Sequence, residues 1–215
     1  MPNERAWRAE AETQTSLKAN VDDAALVLRL GLAVTAIRAA HMLTVKVGDG
    51  TTPHERGLHL WSFVLAVAYI HEAKVTASPR FPRVKELALK AGATKDLAAD
   101  IGQLFSGKSR LGQLAERVRN STVFHFDEQF VRKWIAEQNA QHVVWAEGLG
   151  PRVGKQLYRA SLDTVTGNLL SGTDDPADLQ KLIAEVLPAT EKLLAFLEHA
   201  IAGYLDSVGA ELIEE

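Results

Sequence analysis

The sequence predicts an all-α fold, an antiparallel helical bundle with additional short helices. Three observations predict it. Apolar residues recur at helical spacing in nearly every long segment, capping and breaking residues separate these segments, and no alternating pattern of useful length indicates a strand. We expect a polar N-terminal segment over 1–19 and a single helical domain over 20–215. Within that domain, a bundle over 20–145 carries C-terminal helices over 146–215 packed on it.

The sequence predicts two long helices at the start of the bundle. The first covers 21–47, and Asp22 and Asp23 place negative charge at its start, as the helix dipole prefers. The turn GDGTTP over 48–53 ends it, and the second helix covers about 55–77 with an apolar centre that we expect to be the most buried part of the fold. The apolar positions that indicate the first helix are Val21, Ala25, Leu28, Leu32, Ile37, Ala40 and Leu43.

Shorter helices with recognisable caps follow the break SPRFP over 78–82. After the turn-rich segment 147–154, helical spacing returns at 157–169, and a long C-terminal helical pattern ends near Val208. Pro188 lies inside that pattern and is expected to kink it or divide it in two. The short helices are predicted over about 83–91 with Gly92 as C-cap, 95–105 with Thr94 as N-cap, 110–120 with Ser109 as N-cap, and 128–144 with Asp127 as N-cap.

Composition and charge narrow the class of protein. The 215 residues carry a net charge of −3 and no cysteine, which excludes a disulfide scaffold, thiolate-bound metal and a cysteine nucleophile. The apolar run 60–70 is shorter than the ~20 residues that span a bilayer, and the polar N-terminus lacks a signal sequence. We therefore expect a cytoplasmic protein without a membrane partner. Charge is uneven: 74–119 has ten basic and four acidic residues, whereas 174–215 has ten acidic residues and two lysines. The basic stretch indicates either a surface for a polyanion or ordinary solvated helix faces.

Two sequence motifs have formal matches but lack their usual context. Residues 102–109 fit the phosphate-binding pattern G-x-x-x-x-G-K-[ST], yet the preceding residues have helical spacing where that motif needs a strand. We expect a helix end at Gly107 and a new helix capped by Ser109 there. Glu55 and His59, four residues apart and preceded by His54, share a helix face that could hold a metal, but no matching pair occurs on another predicted helix. We therefore predict no metal site and favour a surface or interface role for His59.

Glu72 ends the apolar part of the second helix, directly after His71. A carboxylate there is costly unless it is paired, so we expect an arginine of the basic stretch to face it. The pairing has two interpretations: a structural ion pair, or support for a polar site between helices.

The segment RVRNSTVFHFDEQF over 117–130 collects polar side chains immediately before a predicted helix start. In an unbroken helix Arg119 and His125 would point about 120° apart. Asn120 and Ser121 compete for backbone hydrogen bonds, so the sequence favours an end to the regular helix after Asn120. An arginine and a histidine then share a polar corner.

This segment resembles the HEPN superfamily (higher eukaryotes and prokaryotes nucleotide-binding domain), whose motif is an arginine, four to six residues, and a histidine. Arg119 and His125 are separated by five residues, Asn120 follows the arginine, and Phe124 and Asp127 also resemble bacterial members with an RN…FHY-D-like sequence. The resemblance is strong over 117–127, general over 20–145 and weak beyond.

The resemblance implies a helical bundle that forms a homodimer and acts on RNA or a nucleotide without a cofactor. Many members are metal-independent endoribonucleases of toxin–antitoxin or phage-defence systems, with an antitoxin as protein partner, and others only bind. His125 would then be the general acid or base, Arg119 would hold the phosphate, and Asn120 would orient a phosphate oxygen or His125. We assign Arg117 and Glu72 as substrate-binding residues. The alternative function is a non-catalytic helical protein that binds nucleotide, RNA or a protein partner.

Overall fold

The computed structural model describes residues 5–8, 21–47, 53–106, 109–120, 147–148, 156–157 and 176–214. Its helices are α1 (Val21–Val47), α2 (Pro53–Ala77), α3 (Phe81–Lys90), α4 (Lys95–Phe105), α5 (Arg110–Val118) and α6 (Pro176–Ser207), with a 3₁₀ turn at Ser78–Arg80. The described strands are β1 (Arg5–Arg8), β2 (Glu147–Gly148), β3 (Gln156–Leu157) and β4 (Glu211–Glu214). The predicted helix over 128–144 lies outside the described residues. Of the predicted helical spacing over 157–169 only Leu157 is described, and it lies in β3.

The all-α prediction is confirmed, since helices make up nearly all of the described structure. The short strands, which the sequence pattern did not predict, form two antiparallel ladders. One pairs β1 with β4 in the register Arg5–Glu214 to Arg8–Glu211, and the other pairs β2 with β3. The chain divides into two compact units, of which unit 1 contains 1–35, 72–107 and 191–215, and unit 2 contains 36–71 and 108–190.

The core of unit 1 is built around aromatic rings and a close helix contact. The Phe81 ring lies 5.7 Å from that of Phe105 in an edge-to-face arrangement and 5.9 Å from that of Phe196. Gly203 of α6 lies so close to α3 that a Cβ at this position would come within 2.2 Å of the carbonyl oxygen of Leu87. The two backbones therefore meet where a side chain has no room, and these contacts join α3, α4 and α6 in one core.

The caps of the short helices follow the prediction. The Thr94 hydroxyl accepts a hydrogen bond from the amide of Leu97 at 3.1 Å at the start of α4. Gly92 has a φ of +95° after α3, the left-handed conformation expected of a C-cap glycine. The 3₁₀ turn at Ser78–Arg80 connects α2 to α3, and Pro82 lies in the first turn of α3. Local chemistry therefore positions the ends of these helices.

Unit 2 contains the apolar centre of α2 that the sequence marks as most buried. Phe63, Val64 and Val67 are fully buried there, which confirms this expectation. In α6, Pro188 lies inside the helix without dividing it, although it removes the amide that would bond the Ala184 carbonyl. The expectation that Pro188 divides this helix in two is therefore wrong. Arg110 of α5 forms an ion pair with Glu185 of α6 at 3.2 Å.

Candidate functional site

Helix α5 positions the arginine of the predicted site. The Ser109 hydroxyl accepts a hydrogen bond from the amide of Gly112 at 2.9 Å and so fixes where α5 begins. Its apolar face is buried and its polar face is exposed, with Val118 as the last buried residue. This amphipathic pattern leaves Arg119 partly exposed and Asn120 exposed at the end of the helix. The buried residues of α5 are Leu111, Gly112, Leu114, Ala115 and Val118.

Backbone geometry changes where the sequence predicts an end to the regular helix. The α-helix ends at Val118, and Arg119 and Asn120 continue in a π-helical turn. The backbone amide of Arg119 points at the carbonyl oxygens of both Ala115 and Glu116. Such π-helical turns occur frequently at functional sites of helical proteins. Regular α-helix therefore ends two residues before the position we expected, which was after Asn120.

The side chains of Arg119 and Asn120 are in direct contact. The Arg119 Nη1 donates a hydrogen bond to the Asn120 Oδ1 over 3.1 Å, in an exposed position. A guanidinium has five N–H donors in a planar fork that matches two oxygens of a phosphate, and this bond uses one of them. The asparagine therefore helps to orient the guanidinium, whereas the role that the resemblance implies for Asn120, orienting a phosphate oxygen or His125, stays a prediction.

The other predicted site residues are placed as follows. His125 lies outside the described residues, so its distance from Arg119 stays a prediction. Arg117 is exposed on α5, and Arg117 and Arg119 belong to unit 2. Glu72 is partly exposed on α2 and belongs to unit 1. The structure thus joins Arg119 with Asn120, and the roles of Arg117, Glu72 and His125 stay predictions.

The phosphate-loop interpretation lacks its structural context. The residues that lead into Gly107 form helix α4, where that motif requires a strand, and Ser109 caps α5 as expected. Among the described residues no group of three metal-ligating side chains is present. His59 is partly buried on α2, and the side chains of His54 and Glu55 are outside the described part.

A second polar cluster, which the sequence reasoning missed, lies in unit 1. The Asp23 side chain is only 3% exposed, and its two carboxylate oxygens accept hydrogen bonds from Arg80 Nη2 at 2.6 Å and Arg83 Nε at 3.0 Å. At the start of α1 the sequence predicted only a dipole interaction for Asp23. A signal was present, because Asp23 precedes the buried Leu26 and Leu30 by three and seven residues and so lies on their face of α1.

Electrostatics make this cluster largely self-compensating. Glu86 pairs with Lys90 at 2.8 Å and with Arg83 at 2.9 Å, and these cations lower the pKa of the Glu86 carboxyl. The hydrogen bond to Glu86, together with Asp23, raises the pKa of Arg83 against the opposing effect of burial. Since two carboxylates face three cations, little charge remains for a ligand. We interpret the cluster as a structural clamp that holds the start of α1 against α3 and the turn before it.

Comparison with known proteins adds no relative: the chain matches no family model, no curated protein and no solved structure. The resemblance to the HEPN superfamily therefore depends on the motif residues themselves. A function for Arg119, Asn120 and His125 is accordingly a proposal based on chemistry.

One helix bears on localisation. The segment Val21–Leu43 of α1, with a mean hydropathy of 1.5, is long and apolar enough to cross a membrane by length and composition. The expectation of no membrane partner rests on the apolar run over 60–70, which lies in α2. Core helices of soluble proteins pass the same test, so cytoplasmic localisation stays a prediction.

Proposed function

We propose that this chain is a HEPN-like, metal-independent endoribonuclease, with Arg119, Asn120 and His125 as its catalytic residues. The observation that carries the proposal is the exposed contact of the Arg119 guanidinium with the Asn120 amide oxygen, in a π-helical turn six residues before His125. An arginine on a rigid, capped helix is well placed to hold a phosphate group.

The proposed reaction is attack of a ribose 2′-hydroxyl on the adjacent phosphate. His125 accepts the proton of the 2′-hydroxyl, whose oxygen forms a new bond to phosphorus while the bond to the 5′-oxygen breaks. The 5′-oxygen leaves with a proton, and the products are a 2′,3′-cyclic phosphate and a 5′-hydroxyl. Arg119 stabilises the negative charge that develops on the phosphate oxygens. A second copy of the chain would supply the acid for the leaving group, because one imidazole cannot serve as base and acid at once.

The charge distribution supports a polyanionic substrate. The stretch 74–119, which ends at Arg119, has a balance of +6 although the whole chain is at −3, and its basic residues outside the Asp23 cluster include Arg117 and Arg119. Arg117 is exposed two residues before Arg119 and would contact the RNA backbone. Phosphate contacts of this kind make binding weaken as salt concentration rises.

The test is cleavage of a fluorescent single-stranded RNA in EDTA. We expect His125→Ala to lower the rate by about 10²–10⁴-fold, since general acid–base catalysis contributes that much. Arg119→Ala should lower it by about 10²–10³-fold, as loss of one oxyanion-stabilising donor does. Arg110→Ala is the matched control, because Arg110 is exposed at the opposite end of α5 and forms only a surface ion pair. Cleavage that survives His125→Ala, or that Arg110→Ala abolishes equally, would reject the assignment.

The overall acidity of the chain, with a pI of about 6.2, favours the second candidate, a non-catalytic member that binds RNA, a nucleotide or a protein partner. In that case purified protein would show no turnover. RNA or nucleotide would still raise the melting temperature of the wild-type protein, and Arg119→Ala would abolish this shift whereas Arg110→Ala would not. A toxin role further predicts that expression arrests host growth and that His125→Ala relieves the arrest.

A further inference from the structure

Helix α1 presents an exposed apolar face in unit 1. Leu28 and Leu32 are each 71% exposed and Val21 is 64% exposed, and Ala25 lies exposed between them. The opposite face is buried, with Leu26 and its neighbours in the core. Isolated apolar residues on a surface are ordinary, but this set forms a continuous row on one helix.

The spacing of this row is that of a helix–helix seam. The steps from Val21 to Ala25, Leu28 and Leu32 are four, three and four residues, the alternation that keeps apolar side chains facing a partner helix. In a helix–helix interface with this spacing, the second helix buries the apolar side chains of the row. The charged residues Asp22 and Arg29 follow Val21 and Leu28 directly and so flank the row.

We propose that this face binds α1 of a second copy of the chain in an antiparallel, two-fold symmetric contact. With the symmetry axis between residues 26 and 27, Val21 of each copy lies opposite Leu32 of the other, and Ala25 lies opposite Leu28. The same register brings Asp22 of each copy beside Arg29 of the other, which gives two symmetry-related ion pairs.

Charge complementarity selects the second copy and its orientation. Within one chain Asp22 and Arg29 are seven residues apart, about 10.5 Å along the helix axis, so they do not neutralise each other. In a parallel pair the residue across the seam from Arg29 would be Ala24, and no ion pair would form. The antiparallel register therefore uses both charges as well as the apolar row.

A bilayer is the competing occupant, because α1 has the length and hydropathy of a membrane span. Two observations favour a protein partner. The face of α1 opposite the row is part of the core of unit 1, and Asp23 on that face is bonded to Arg80 and Arg83. A helix held in this way would have to leave its core and break these bonds to enter lipid.

The main experiment is sedimentation analysis of the full chain over about 1–300 μM, because a short seam gives the small interface of a weak complex. We expect a monomer–dimer equilibrium that Leu28→Glu shifts to monomer at every concentration. Val75→Glu is the matched control, since Val75 is a 47% exposed apolar residue of α2 in the same unit. A wild-type chain that stays monomeric, or equal weakening by Val75→Glu, would overturn the proposal.

A charge exchange tests the register. Asp22→Arg and Arg29→Asp should each weaken dimerisation about tenfold, and the double exchange should restore it to within about threefold of wild type. Restoration cannot arise inside one chain, because the two side chains are two helical turns apart. Failure of the double variant to recover would refute the antiparallel register.

Cross-linking gives an independent readout, because the chain has no cysteine. When Ala25→Cys and Leu28→Cys proteins carrying different tags are mixed and oxidised, the antiparallel contact predicts mixed disulfides between them. Disulfides only between identical variants would indicate a parallel pair and overturn the proposal. Two other results would also overturn it: flotation of a monomeric wild-type chain with anionic lipid vesicles, or a large drop in melting temperature of a monomeric Leu28→Glu chain. The inference uses α1 alone and stands whether or not the chain cleaves RNA.

Discussion

The clamp around Asp23 predicts an asymmetry between its two sides. Asp23 is almost completely buried, whereas the side chains of Arg80 and Arg83 are 41% and 31% exposed. Asp23→Ala removes the buried charge and leaves two arginines that water can solvate. The double variant Arg80→Ala/Arg83→Ala leaves the buried carboxylate without these two donors. The second change should therefore destabilise the fold more than the first.

The magnitudes follow from the desolvation of each group. A hydrogen bond to a charged group contributes about 1.5–3 kcal/mol, but partial exposure of both arginines reduces this. We expect Asp23→Ala to lower the free energy of unfolding by about 1–2 kcal/mol. The double arginine variant should lower it by about 3–5 kcal/mol, the range found when a buried charge loses its partners. Urea unfolding followed by circular dichroism at neutral pH measures both.

A triple variant provides the decisive comparison. Once Asp23→Ala has removed the carboxylate, adding the two arginine substitutions should cost little more, so the three changes are far from additive. If Asp23→Ala destabilises as much as the double arginine variant, or if the triple variant loses the full sum, the carboxylate is not the group whose burial sets the cost. The clamp interpretation would then be wrong.

The remaining predictions concern Gly203 and Tyr204 of α6. Gly203→Ala should destabilise the chain by about 1–3 kcal/mol in urea unfolding, because the new methyl group meets the Leu87 backbone, whereas Gly31→Ala, whose Cβ would meet nothing within 4 Å, should stabilise it by about 0.5–1 kcal/mol. Equal effects would refute the close contact. Tyr204→Phe should stabilise by about 1 kcal/mol at pH 7, because the buried hydroxyl finds no hydrogen-bond partner among the residues that the structure describes. Burial and the nearby Asp23 raise the pKa of Tyr204 in the folded state. Ionisation of this phenol therefore opposes folding: it costs no stability well below pH 10, and stability is lost as pH rises through the folded pKa. Urea midpoints between pH 8 and 12 should fall more for wild type than for Tyr204→Phe, and parallel pH curves would contradict this.

Helix ends were predictable because short-range chemistry determines them. Thr94 and Ser109 bond amides three residues ahead, and Gly92 adopts the left-handed conformation that favours glycine. Each of these features depends on a few neighbouring residues, so the sequence contains all the information. The strand pair of β1 with β4 was not predicted, since it joins residues about two hundred positions apart and its four-residue strands have no distinctive pattern.

The candidate site was predictable in part for the same reason. The end of the regular helix is a local event, and the sequence predicted it two residues too late; the contact between Arg119 and Asn120 was not predicted. The clamp was missed because it depends on long-range packing: the side chains of Asp23 and Arg80 are 57 positions apart in the chain. Helical spacing placed Asp23 among buried residues, but only the fold brings the two arginines to it.

Helix α1 shows where periodicity alone fails. The positions that indicated this helix include Val21, Leu28 and Leu32, and the structure places all three on the exposed face. A second row on the same helix, which includes Leu26 and Leu30, has equally regular spacing and forms the buried face. Because both rows are apolar, the pattern identifies the helix but cannot choose the face that packs inside. A helix with two apolar faces needs two partners, and its own fold supplies one of them, so the free energy of burying the second face is available for association.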